Sequence, residues 1–209
     1  MALAQGACDA DGLDFCSCIV HFDLMASSDP DSDDFADVPE RAFGNIVPAE
    51  GEASVLQPGQ RLARGVSRYL RSLGYVAVEE FVPDRGLRVD VMALGPKGEL
   101  WVIECKSSRA DYQSDAKWRG YLEWCDRYFW AVDMDFPTDL LPQDTGLILA
   151  DAYDAEVIRM GPEQKLPAPR RKKLIHKFAM DAARRLQKLR DPRLGQDGRL
   201  LLPSGPEED

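Results

Sequence analysis

Histidine is scarce in this chain. Only His21 and His176 occur among 209 residues. A histidine-based zinc centre therefore lacks its usual ligands. Cysteine offers no framework either. The five, Cys8, Cys16, Cys18, Cys105 and Cys125, are odd in number. Cys8, Cys16, Cys18 and His21 match no common zinc spacing. A reducing, cytoplasmic and nucleoid-associated setting is the simplest expectation. Long apolar runs are missing too. Residues 15–25 are too short and too interrupted to span a bilayer, and acids flank them. No membrane partner is expected. No internal repeat is visible.

Positive charge is almost absent from the first 58 residues, which hold 12 acids and one base, Arg41. The remaining 151 residues hold 24 acids and 25 bases. The net charge of −10 thus belongs to a tail rather than to the body. Residues 1–56 read as a disordered acidic arm, 57–190 as one folded domain, and 191–209 as a flexible polar tail. Met25 opens a second plausible start, which makes residues 1–24 a candidate dispensable extension. Within the body, residues 165–190 carry ten Lys or Arg against one acid, Asp181. Such a surplus is the usual footprint of a polyanionic partner.

The elements follow from periodicity and punctuation. Residues 60–73 place Leu62, Val66, Tyr69, Leu70 and Leu73 on one helical face, and Gly74 stops that helix. Strands are expected at 75–81, 87–94, 100–106, 128–132, 146–150 and 156–160. Ser108 caps a helix over 110–125, in which Trp118, Leu122 and Cys125 pack on the sheet. A basic helix covers 167–189, with Leu174, Phe178, Ala182 and Leu186 as its apolar stripe. The order helix, three strands, helix, strand predicts an α/β fold: a mixed sheet flanked by helices, with accessory strands.

Two runs carry the chemistry. Leu87-Arg88-Val89-Asp90-Val91-Met92-Ala93-Leu94 and Leu100-Trp101-Val102-Ile103-Glu104-Cys105-Lys106 flank the turn Gly95-Pro96-Lys97-Gly98. A three-residue loop with positive φ at Gly98 is a common hairpin connection. That register pairs Asp90 with Glu104, roughly 5 Å apart at Cβ. Alternation sets Val89, Val91, Ala93, Trp101, Ile103 and Cys105 on one face. Asp90, Met92, Val102, Glu104 and Lys106 share the other. Adjacent carboxylates repel unless a cation lies between them. Hard oxygen donors without His or Cys favour Mg²⁺ or Mn²⁺. Lys106 is placed to stabilise charge on a phosphate or orient a hydroxide. The plainer alternative is an exposed salt-bridge ladder on a solvated sheet face.

These residues resemble the PD-(D/E)XK nuclease superfamily, the restriction-endonuclease-like fold, through Val89-Asp90 and Glu104-Cys105-Lys106. Residues 88–94, 99–108, 115–118 and 125–133 more specifically resemble the MmcB family of proposed DNA-repair endonucleases of alphaproteobacteria, and the likeness extends over 58–190. The resemblance implies a Mg²⁺-dependent DNA endonuclease in the damage response. Asp90 and Glu104 would be its metal ligands and Lys106 its catalytic lysine. Lys117 and Tyr121 have the spacing of a Gln-X-X-X-Tyr element, with Lys in place of Gln. Many members also use a glutamate on the first helix, but residues 60–73 contain no acid. Glu80 is the candidate substitute.

DNA contacts are expected from Arg88, Arg170, Arg171, Lys172, Lys173 and Lys177. Single-stranded, gapped or branched DNA and repair or translesion proteins are the expected partners. Asp111 and Asp115 are accounted for by the dipole of the helix they begin. The rival class is a non-catalytic DNA-binding or recruitment module on a nuclease scaffold; RNA cleavage by the same chemistry is a third.

Overall fold

The computed structural model describes residues 56–115 and 117–191. The expected acidic arm, apart from residue 56, and the tail beyond 191 lie outside the described residues.

Helix α1, Pro58–Ser72, starts where Pro58 suits the first helical position. The Gln57 N–H donates to Gln60 Oε1 (3.0 Å). It ends in a Schellman turn. Gly74 takes φ 79°, and the Gly74 and Tyr75 N–H groups reach Arg71 O and Leu70 O. Leu62, Ala63, Val66 and Leu70 are buried. Leu73, expected on that face, is 45% exposed because it lies at the cap.

Six strands follow: β1 Val76–Phe81, β2 Val89–Leu94, β3 Leu100–Lys106, β4 Arg127–Val132, β5 Gly146–Ala150 and β6 Ala155–Arg159. They form one sheet in chain order. β1, β2 and β3 are antiparallel neighbours, β3, β4 and β5 run parallel, and β6 returns antiparallel. This mixed sheet flanked by helices is the architecture expected and is compatible with a restriction-endonuclease-like core. Helix α1 covers one face, over Val91, Ala93, Ile103, Phe129, Ala131 and Ile148. The other face, with Met92, Val102, Tyr128 and Trp130, lies under the helices that follow β3 and β6.

Two expectations need correction. The single helix over 110–125 is two elements: α2, Arg109–Ser114, and a 3-10 helix, Trp118–Trp124. Asp115 ends α2 in an extended conformation. Three-residue periodicity then sets Trp118 and Tyr121 together against the sheet, both buried. Val89 also departs from strict alternation. It packs with Phe81 on the face of Met92 and Val102. Its neighbourhood is bent where Glu80, at φ 53°, breaks the alternation of β1.

The final helix α3, Ala168–Arg190, buries Leu174 and Phe178. Ala182 is partly buried, while Leu186 is 40% exposed. Asp126 anchors this helix. Its carboxylate accepts from the Leu100 and Leu166 N–H groups, both at 2.8 Å, and from the Arg171 guanidinium at 2.6 and 2.7 Å. Among the described residues no helix is long and apolar enough to cross a membrane.

Candidate active site

The β2–β3 hairpin turns as its sequence predicts. Gly98 takes φ 80°, and the last ladder pair before the loop is Leu94 with Leu100. The ladder runs to Val91 opposite Ile103, and one further step in that register sets Asp90 opposite Glu104. There, carboxylates take over the role of main-chain acceptors. The Asp90 N–H donates to Glu104 Oε1 (3.2 Å), and the Cys105 N–H donates to Asp90 Oδ2 (2.8 Å). Each acid is thus clamped by the backbone of the other's strand, with one oxygen left over.

The two charged side chains of β3 are buried. Glu104 is 3% exposed and Lys106 6%. Burial, and then the charge of Asp90, push the Glu104 carboxyl up to about 8. Burial also raises Asp90. Lys106 behaves oppositely. Burial alone would lower it, but the hydrogen bond to Asp115 and the charge of Glu104 outweigh that and hold it above its ordinary value. Its Nζ lies 2.7 Å from Asp115 Oδ2 and 3.7 Å from Glu104 Oε2. Lys106 is therefore an ammonium at neutral pH. It can stabilise developing negative charge but is not poised to act as a base.

These groups open into a cleft of about 560 Å³. The start of α1 forms one wall, with Gln57, Gln60 and Ala63. Glu79 and Glu80 come from β1, Arg88 and Asp90 from the entry to β2, and Asp111, Asp115 and Tyr121 from the segment after β3. No acid of α1 contributes, and Gln60 stands there instead. Glu80 forms an exposed ion pair with Arg88 at 2.7 Å. Glu79, not singled out by the sequence, also lines the cleft and accepts from Ser67 Oγ at 3.4 Å. Burial raises its carboxyl.

Tyr121 enters the cleft and donates its hydroxyl to Arg88 O (3.0 Å). Lys117 does not join it. That residue is exposed, lies before the 3-10 helix, and is not among the cleft-lining residues. The four-residue spacing aligns two side chains only on a continuous α-helix, which the break at 115 removes. The role of Asp115, like that of Glu79, was not foreseen from the sequence. Its proximity to α2 suggested a dipole role, yet it closes that helix and turns onto Lys106. Ser108 does cap α2, accepting from the Asp111 N–H at 3.2 Å.

The donor set fits a hard divalent cation. Among the described residues no three His, Cys, Asp or Glu groups converge as a ready cage. Mg²⁺ and Mn²⁺ do not need one; one or two carboxylates with retained waters suffice. Asp90 and Glu104 present two such carboxylates, held by main-chain N–H groups and raised by burial.

The predicted DNA-contacting bases divide. Arg88 alone lines the cleft. Arg171 is committed to Asp126 and to the Gly98 carbonyl, so it serves the fold. Arg170 bonds Glu123 O (2.7 Å) and stacks on Trp124 at 4.9 Å. Lys173 reaches the same ring at 5.9 Å, Lys177 bonds Pro83 O at 3.4 Å, and Lys172 is exposed.

Comparison with known proteins supports a role in DNA maintenance. No curated protein matches the chain. A solved structure described as the SPO1766 protein of unknown function from Silicibacter pomeroyi is 72% identical, with a TM-score of 0.66. The match covers 71% of this chain and 99% of that one. Residues 50–193 match the family described as DNA repair protein MmcB-like, and these residues hold every group of the cleft. The chain belongs to the MmcB-like family of DNA repair proteins.

Proposed function

We propose that this protein is a Mg²⁺- or Mn²⁺-dependent DNA endonuclease of the PD-(D/E)XK type, acting in repair. One observation carries the reading: the half-buried carboxylate of Asp90 and the buried one of Glu104 meet across neighbouring strands, with the Lys106 ammonium 3.7 Å from Glu104. Leaving both acids ionised without a cation is unfavourable. A divalent cation bound there would supply a polarising charge for phosphate and would lower the pKa of a bound water.

The chain's own groups do the rest. Asp90 and Glu104 would hold the cation. Lys106 donates toward the phosphate oxygen on which charge grows. Asp115 keeps that ammonium charged and aimed. Arg88, at the mouth, exchanges Glu80 for a flanking phosphate. Water attack on the phosphodiester leaves 5′-phosphate and 3′-hydroxyl ends.

The test is cleavage of single-stranded, nicked, gapped and branched DNA with Mg²⁺ and with Mn²⁺. Asp90→Ala and Lys106→Ala should abolish cutting while the circular dichroism spectrum stays native. Unchanged cutting by either variant removes the assignment. A second reading, a DNA-binding module on a nuclease scaffold, draws on the acid-free α1 with Gln60 at the cleft. Salt-dependent DNA binding with no cleavage of any substrate would establish it in place of the first.

A further inference from the structure

Helix α3 carries more than a general surplus of charge. An α-helix advances about 100° per residue. Arg170, Lys173, Lys177, Arg184 and Lys188 therefore fall within about 40° of Lys177 around the axis. They form one straight stripe about 27 Å long. The core-facing residues Leu174 and Phe178 lie to one side of it. Lys172 and Arg190 sit about 140° from Lys177, on the opposite flank.

Contacts show where the stripe runs. At one end Arg170 and Lys173 lie over the Trp124 ring. In the middle Lys177 touches the Pro83 carbonyl, in the turn between β1 and β2. Toward the other end Arg185 donates to the carbonyls of Glu79 (2.6 Å) and Glu80 (3.4 Å). Those two residues line the cleft, so the helix is pinned along the strand that forms its wall. Two acids lie along this flank: Asp181 is taken up by Arg185 at 2.9 Å, and Glu123 by Arg170 at 3.6 Å. Arg184 and Lys188 are exposed and have no acidic partner among the described residues. The cleft itself is rich in acids, with only Arg88 and Lys106 as cations among the described residues. A polyanion held there needs its charge met elsewhere.

We propose that this stripe is the track on which the DNA backbone lies as it passes the cleft, crossing the 83–88 turn toward Arg88. The proposal rests on the reading that the protein acts on DNA. It adds Arg184 and Lys188 to the DNA-contacting set and removes Arg171 and Lys172.

The experiment compares two charge-matched pairs in the full chain: Arg184→Ala with Lys188→Ala on the stripe, and Lys172→Ala with Arg190→Ala on the far flank. Binding to a fluorescent gapped duplex is read by anisotropy in EDTA across a salt series, so cleavage plays no part. Each phosphate contact contributes about 0.9 to the slope of log affinity against log salt. The stripe pair should lower the slope by about 2 and weaken binding roughly thirtyfold at physiological salt. The far-flank pair should change binding by less than about threefold, an effect of net charge alone. Equal weakening by both pairs, or none by the stripe pair, overturns the track. If the stripe pair binds normally while the wild type still cuts DNA, only the track fails. Absence of DNA binding by the wild type removes both the track and the reading beneath it.

Discussion

Replacing Glu104 by Gln should make the metal-free protein more stable while destroying its activity. The carboxyl sits at about 8 in the fold against an ordinary 4.5. A carboxyl raised on folding binds its proton more tightly in the native state. Folding is then favoured at low pH, and a penalty accumulates as pH rises from about 4.5 to about 8. At 1.36 kcal/mol per unit the full shift caps this penalty at about 5 kcal/mol. Asp90 shares the repulsion and Lys106 loses an attraction, so about 1–3 kcal/mol is the working figure. Gln keeps an acceptor for the Asp90 N–H that Glu104 now receives. For an ordered body of this size the gain is roughly 3–9 °C in Tm.

The assay is thermal unfolding of wild type and Glu104→Gln in EDTA at pH 5 and pH 8.5. The variant should melt higher at pH 8.5, with little difference at pH 5. Adding Mg²⁺ should then raise the wild type, by about 2.7 kcal/mol at a hundred times Kd, and leave the variant where it was. A variant that melts no higher at pH 8.5, or gains equally at both pH values, refutes the claim that a strained buried charge sits at 104.

Two further substitutions test the supports. Asp115→Ala leaves the Lys106 ammonium buried without its 2.7 Å partner, and urea unfolding should register a loss of about 3 kcal/mol. An unchanged midpoint would show that Asp115 does not hold the lysine. Asp126 is held below the usual carboxylate range: burial would raise it, but the Arg171 guanidinium and the Leu166 and Leu100 N–H groups prevail. Its stabilisation is complete above about pH 4, the unfolded value, and is lost as pH falls through the lower folded one. Asp126→Asn should therefore destabilise by about 2 kcal/mol at pH 7 and converge on the wild type in acid; a gap constant with pH contradicts the ion-pair account.

Much of the cleft was legible before folding was considered. Val91, Ala93, Ile103 and Cys105 against Met92 and Val102 is a two-residue period. With the loop length that Gly98 permits, that period sets Asp90 opposite Glu104. The helix after β3 was legible in existence but not in form. Residues 110–125 contain no proline to announce a break, and α-helix and 3-10 helix place apolar residues at nearly the same intervals. Hence Lys117 was expected beside Tyr121 and is not there. Glu79 escaped notice for a similar reason: the φ of 53° at Glu80 bends the end of the strand where face assignments rest on regular alternation.

By itself the sequence determined the order of elements, the pairing of the two acids and the basic character of the last helix. These follow from local periods and turn residues, which act over a few positions. Only the tertiary structure decided which bases are spent on the fold and which face outward. Arg171 meets Asp126 45 residues away, and Arg185 meets Glu79 106 residues away. A guanidinium reads the same in a sequence whether it holds a buried carboxylate or awaits a phosphate. Its role is set by which acid or carbonyl the chain's return path brings within about 3 Å, and that depends on packing across the whole sheet.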